Sequence, residues 1–287
     1  MSEIATVEMK ENGKSFFNDI GLRLAHKILG LEYLHYGYFE NLTKNLESLP
    51  KAQEQYMEKV LSQIPTQVKN ILDIGCGAGG MAKNMIQRGY NVTCCEPDPF
   101  LLNKTLAATN NKIKGVIGFY QTVQDLPPTS FDLILMSESC QYVPYEVGFQ
   151  QHSRFLKEGG FVLIADFFIQ KPLDQKYLSK SGHPYQEFLN TAKKYNFELI
   201  KNIDITPETA PTMDIYQDLI HNKAFPIIEA VFEYLYRKTP LIYKFLNFLI
   251  GKKILFLKQK YSSQSAEIFT KYKTYRILLF QKSANKV

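Results

Sequence analysis

The sequence predicts an α/β fold, a mostly parallel sheet with helices on both faces, and three observations predict it. From residue 68 onward, short apolar runs bounded by glycine, proline and polar residues alternate with segments of helical period. A glycine cluster, Gly75-Cys76-Gly77-Ala78-Gly79-Gly80, joins the first of these runs to the helix after it. The stretch from Val68 to Glu96 then reads as strand, helix and strand, at the length a parallel crossover needs.

Each element follows from local signals. Phe16 to Leu31 has helical spacing (Phe17, Ile20, Leu24, Ile28), and the aromatic segment Tyr33-Leu34-His35-Tyr36-Gly37-Tyr38-Phe39 follows it. Leu46 to Ile64 predicts a second helix, stopped by Pro65. Val68 to Ile74 is the first strand, Met81 to Arg88 a helix with Gly89 as its cap, and Asn91 to Glu96 the second strand. Asp98 and Pro99 open the next helix as N-cap and first-turn residue. Gly115 to Tyr120, Phe131 to Met136 and Phe161 to Phe167 are strands three to five, the last entered through Leu156-Lys157-Glu158-Gly159-Gly160. A helix from Pro184 to Lys194 precedes a sixth strand, Phe197 to Ile205, and Tyr272 to Gln281 is the seventh. Between the last two strands, Thr206 to Lys271 is helical in pattern and too long for a loop, which predicts an inserted lid. The expected division is an N-terminal helical segment (1–66) covering the site, a core (67–206), the lid (207–271) and the final strand (272–287).

Composition narrows the class. With 287 residues, 45% hydrophobic and 22% charged, the chain can bury a core without disulfides. Its four cysteines lack metal or redox spacing, and the adjacent Cys94 and Cys95 should point to opposite faces of one strand. His152, His183 and His221 are isolated, so structural or surface roles are expected and no metal is predicted. The N-terminus has no signal-like apolar core, and Leu241 to Leu257 is too interrupted by charge to span a bilayer; a cytoplasmic protein is expected. From His221 to Val287 there are 13 Lys or Arg against 3 Asp or Glu, an asymmetry that suits an anionic partner or a solvated basic face. No nucleic-acid-binding signature accompanies it.

The chemistry concentrates in the glycine cluster. Gly75, Gly77 and Gly80 satisfy G-x-G-x-x-G, a pattern shared with dinucleotide sites. Asp73, two residues before the first glycine, changes the reading. Its carboxylate would repel a pyrophosphate at the helix N-terminus and attract a ligand ammonium. Glu96 ends the second strand, placed to accept from two ribose hydroxyls.

On these residues the sequence resembles the class I S-adenosylmethionine methyltransferases, from about Val68 to Phe168 and again at the final strand. The resemblance implies a Rossmann-like seven-stranded sheet whose last strand is antiparallel, with S-adenosylmethionine as cofactor. It assigns Asp73, Gly75, Gly77, Gly79, Glu96 and the neighbouring Pro97 to cofactor binding. Thr122 to Pro127 is similar to the segment that reaches adenine. Where the family commonly has aspartate this chain has Thr122, so contact is expected through Val123 backbone or the Gln124 side chain.

A narrower resemblance, to the tocopherol and sterol methyltransferases and their small-molecule relatives, rests on Met136 to Val143 and on His35-Tyr36-Gly37-Tyr38-Phe39. It implies that Tyr36 closes over the cofactor, and that Glu138, Tyr38 and His35 carry the catalytic roles. The insertion holds more Phe, Leu, Ile and Tyr than one helix face can bury. It therefore predicts a lipophilic acceptor pocket or a peripheral membrane contact through the basic lid; a self-burying helix pair or a dimer contact is the alternative. A nicotinamide-dependent oxidoreductase and a non-catalytic methyltransferase-like module are the competing readings.

Overall fold

The computed structural model describes residues 33, 35–173, 181–262 and 264–283, so the helix expected at Phe16 to Leu31 lies outside the described residues. Helix α1 (Leu49–Leu61) precedes the sheet. Then come β1 (Asn70–Ile74), α2 (Gly80–Gln87), β2 (Asn91–Glu96), α3 (Pro99–Ala108), β3 (Lys114–Ile117) and β4 (Phe131–Ser137). Helix α4 (Tyr145–Phe155) leads into β5 (Leu156–Ile169), followed by β6 (His183–Pro184), α5 (Tyr185–Lys194) and β7 (Phe197–Asp204). Asp98 caps α3 as expected, accepting from Phe100 N at 2.9 Å, and Gly89 ends α2 at φ 87°.

The strand order is β3-β2-β1-β4-β5-β8-β7, where β8 is Lys273–Lys282. Strand β8 is antiparallel to both neighbours and the other pairings are parallel. Side chains alternate across the sheet. Ile71, Leu133, Leu163 and Ile277 face α1 and α2 on one side, while Leu72, Ile134, Val162 and Leu278 face α4 and α5 on the other. Cys94 and Cys95 fall into these two separate cores.

The sheet has eight strands rather than the seven expected. The addition, β6, is two residues that pair with the end of β5, Phe168 opposite His183. No apolar run marks it. Gly182, at φ 93°, lets the chain come close to the Phe167 carbonyl, where a Cβ would stand 3.0 Å from the oxygen. Strand β3 stops at Ile117, short of the expected Tyr120. Gly118 N still donates to Glu96 O at 3.2 Å, after which the chain turns and the Tyr120 hydroxyl points inward to His152 Nδ1 at 2.9 Å. Strand β5 starts early at Leu156, with an irregular register before Phe161.

The insertion is mostly helical in its described residues: α6 (Thr206–Thr209), α7 (Pro211–Asp218), α8 (Phe225–Lys238), α9 (Pro240–Leu246), α10 (Lys252–Ser262) and α11 (Ala266–Tyr272), with π-helical turns at Leu219–Ala224 and Asn247–Gly251. Its two ends pack on the domain. Phe39 N donates to Glu208 O at 2.9 Å, Gly37 N to Thr212 Oγ1 at 3.0 Å, and the Phe269 ring lies 6.1 Å from Tyr36. Its middle, α8 to α10, exposes most of its large apolar side chains. No helix among the described residues is long and apolar enough to cross a membrane.

Candidate active site

In an open α/β sheet the ligand crevice opens where neighbouring connections diverge, at the carboxyl ends of the strands. Here that point lies between β1 and β4, and both chemically marked segments of the sequence end there. The glycine loop leaves β1 with Gly75, Gly77 and Gly79 at φ 72°, 58° and 89°. Gly75 N donates to Cys95 O at 2.9 Å, and Gly77 N to Glu96 Oε2 at 3.1 Å. Glu96 Oε1 accepts from Asp98 N at 3.1 Å. Thr105 Oγ1 donates to Gly77 O at 3.0 Å, and Ser139 Oγ to Ile74 O at 2.5 Å, fixing the loop from both sides. Neither hydroxyl is marked in the sequence; each is recognisable only once α3 and β4 stand beside the loop.

The loop tolerates no side chain at its first turn. A Cβ on Gly75 would lie 2.7 Å from Ser139 Cβ, in a backbone region already costly by about 1–2 kcal/mol for L-residues. Gly75→Ala is therefore expected to lower the melting temperature by several degrees and to remove S-adenosylhomocysteine binding. Thermal shift with and without that ligand checks both.

Asp73 is buried, and its Oδ2 has no hydrogen-bond partner. Burial, with the neighbouring Glu96 charge added, pushes its carboxyl up to about 7. A buried acid without a partner beside a glycine cradle fits a bound cation. The ammonium of S-adenosylmethionine would supply one, and Glu96, on the next strand, would be the carboxylate nearest a ribose. Pro97 is half-buried beside Glu96. Val123 is buried, with its N–H engaged by Phe119 O at 2.9 Å and its carbonyl the backbone group left for a ligand contact. Gln124 is exposed, its amide folded 3.4 Å from Thr122 O.

Glu138 follows β4 in the left-handed region at φ 56°, a strain of about 1–3 kcal/mol for a non-glycine residue, of the kind that clusters at working sites. Its Oε1 accepts from Tyr36 N at 2.6 Å and from the Tyr275 hydroxyl at 2.8 Å. Burial pushes its carboxyl up to about 8, against the pull of those two bonds and with the Asp166 charge adding to the rise. Tyr275 in turn meets the Tyr56 hydroxyl at 2.8 Å, and Tyr56 meets Ser137 Oγ at 3.1 Å. The result is a partly buried polar chain from α1 across β4 to β8.

The aromatic segment divides on contact with this chain. His35 stacks on Tyr56, centroids 4.4 Å apart, with Nδ1 against Tyr36 O at 2.8 Å and a buried, unpartnered Nε2. Burial pulls its pKa down to about 4, so it is neutral at pH 7. Tyr36 is walled by Phe167, Phe269 and Tyr275, and its hydroxyl donates to Met213 Sδ at 3.0 Å. That puts it beside Glu138 rather than on the glycine loop. The aromatic ring on the loop is Tyr33, which a Cβ on Gly80 would strike at 2.5 Å. Tyr38, expected among the catalytic residues, lies apart, its ring under the Lys59 ammonium at 5.3 Å. Gly37, between Tyr36 and Tyr38, presses against Ala52 and Phe39, where a Cβ would fall at 2.7 and 2.8 Å.

A family model described as a methyltransferase domain matches residues 72–164. Among curated proteins, a ubiquinone biosynthesis O-methyltransferase of Xylella fastidiosa is 25% identical over 166 residues, covering 52% of this chain and 65% of that one. A fatty-acid O-methyltransferase of Mycolicibacterium smegmatis is 23% identical over 180 residues, covering 60% and 65%. The chain thus spans just under two thirds of the length of these relatives. Among solved structures, a geranyl diphosphate C-methyltransferase of Streptomyces coelicolor in complex with geranyl-S-thiolodiphosphate and S-adenosyl-L-homocysteine has a TM-score of 0.63 at 16% identity, covering 92% of each chain. Residues 72–164 match a methyltransferase domain, and the sheet that carries them has the Rossmann-like fold of the class I, S-adenosylmethionine-dependent methyltransferases.

Proposed function

We propose that the chain transfers the methyl group of S-adenosylmethionine to a small, lipophilic acceptor, with Glu138 taking up the acceptor's proton. One observation carries the reading. The half-buried Glu138 cluster and the glycine loop stand on adjacent strands, tied by the bond from Ser139, next to Glu138, to the end of β1.

S-adenosylmethionine supplies an already activated methyl group, so the protein's work is alignment, exclusion of water and proton uptake. Asp73 and Glu96 hold the cofactor's ammonium and ribose, with Gly75, Gly77 and Gly79 giving its backbone close approach. Pro97 and Gln124 border the nucleoside. Tyr36, Phe167 and Phe269 give the acceptor side an apolar wall. Both bonds to Glu138 fall on Oε1, and Oε2 accepts the proton as the acceptor's bond to methyl forms. Tyr275 and Tyr36 N position that carboxylate. His35, held neutral by burial, supports the site by stacking on Tyr56 and bonding to Tyr36 O.

The lipophilic character of the acceptor is supported by the apolar wall and by the relatives named for ubiquinone biosynthesis and fatty acids. The ends of the insertion, at α7 and α11, act as a cover over the Tyr36 side of the site. Peripheral contact of the basic lid with a membrane surface belongs to the same reading.

Calorimetry comparing S-adenosylhomocysteine with NADH tests the cofactor. Micromolar binding of the first and none of the second is expected; the reverse would return the glycine loop to an oxidoreductase. Incubation with S-adenosylmethionine and phenolic, fatty-acid and prenyl diphosphate acceptors, read by mass, tests the transfer.

A further inference from the structure

We infer that the middle of the insertion, α8 to α10, is a docking surface for an anionic lipid bilayer. The inference deepens the reading of a lipophilic acceptor, and its physical basis is independent of the methyl-transfer chemistry.

Large exposed apolar side chains are scattered singly on most protein surfaces; here they concentrate. On α8, Ile227, Val231 and Tyr234 repeat at intervals of four and three and all are at least half exposed. From α9 through the π-turn into α10, Leu241, Phe245, Phe248, Leu249 and Phe256 follow one helical stripe, with Leu241 81% and Phe248 85% exposed. The hairpin's interior is already satisfied without them. Tyr243 packs against Phe232 and Tyr236, with centroids at 6.1 and 5.2 Å, and an ion pair between Lys258 and Glu229 ties α10 to α8. The stripe is therefore surplus to the fold of the hairpin.

Charge identifies what covers it. Residues 234–266 contain seven basic side chains and no Asp or Glu. Lys238, Lys244, Lys252 and Lys253 are exposed, and Lys252 and Lys253 interrupt the stripe itself. A second copy of this chain would bring two such cationic faces together. An aqueous partner surface would leave the phenylalanines in water. A bilayer interface with anionic headgroups receives both classes, the rings in the acyl boundary and the ammonium groups at the phosphates. No helix of the hairpin can span, so it lies in the interface plane. The packed ends of the insertion then hold the Tyr36 side of the site close to that surface, where a lipophilic molecule resides.

The test is flotation of the full chain with vesicles of phosphatidylcholine alone and of phosphatidylcholine mixed with phosphatidylglycerol. Expected is flotation with the mixed vesicles, weakened by added salt, and little with the neutral ones. Phe245→Ser with Phe248→Ser, and separately Lys252→Glu with Lys253→Glu, should each reduce the bound fraction at least about tenfold. Thermal melts and S-adenosylhomocysteine binding, both unchanged, show that these variants fold. No flotation of the wild type with the mixed vesicles overturns the inference, as does equal flotation of wild type and variants. A dimer in sedimentation velocity that the phenylalanine variants dissolve, without vesicle binding, assigns the stripe to a second copy. Failure of S-adenosylhomocysteine to bind the wild type would sink the proposed function and leave the vesicle result standing.

Discussion

Glu138→Gln is expected to lower kcat/KM for methyl transfer by about 10² to 10³, the range of a single positioned acid or base. Affinity for S-adenosylhomocysteine should stay within about threefold. The amide keeps an oxygen for Tyr36 N and the Tyr275 hydroxyl, so the site's shape survives while proton uptake is lost. Only the ionised carboxylate accepts a proton, and burial has raised its pKa to about 8. The wild-type rate should therefore climb with pH up to and through about 8, and the variant's residual rate should lack that rise. Tyr275→Phe removes a donor that favours the charged form, so its rate profile should move to higher pH with its plateau largely kept. A pH-independent wild-type rate, or full activity in Glu138→Gln, would remove Glu138 from the reaction.

Asp73→Asn separates cofactor binding from stability, in opposite directions. Loss of the charge opposite the cofactor's ammonium should weaken S-adenosylmethionine binding by about 1–3 kcal/mol, or roughly 5- to 150-fold. For the wild type, affinity should rise with pH through about 7, where Asp73 ionises; for the variant it should be flat. The unliganded protein responds the other way. A carboxyl whose folded pKa lies above its unfolded value binds more protons folded than unfolded between the two. Its contribution to stability is therefore lost as pH rises from about 4 to about 7. Asparagine never ionises, so the unliganded variant should melt higher than wild type at pH 7.5 and about equally near pH 4. Calorimetric titration and thermal melts across that range read both effects. Equal affinity and equal melting at pH 7.5 would place Asp73 outside the cofactor site.

The sequence by itself determined the sheet, the cofactor loop and the presence of a helical insertion, because these rest on short-range physics. Period-two and period-3.6 patterns, the N-cap at Asp98, the glycine cap at Gly89 and the positive-φ glycines of the first turn are set within a few residues of one another. The same locality made Asp73 and Glu96 stand out, since each lies at or next to the carboxyl end of its own strand. Element ends moved where a long-range contact competed, as when Tyr120 left β3 for His152. The polar chain through Glu138 was legible at one member only. Tyr275 reaches it from 137 positions away, and Tyr56 reaches Tyr275 from 219, so sheet order and not sequence decides that they meet. Tertiary structure also set Tyr36 beside Glu138 and Tyr38 beneath Lys59. It likewise decided the fate of the surplus apolar residues. Hydrophobic pattern says which face of a helix is apolar but not what lies opposite, and in α8 to α10 much of that surface faces outward.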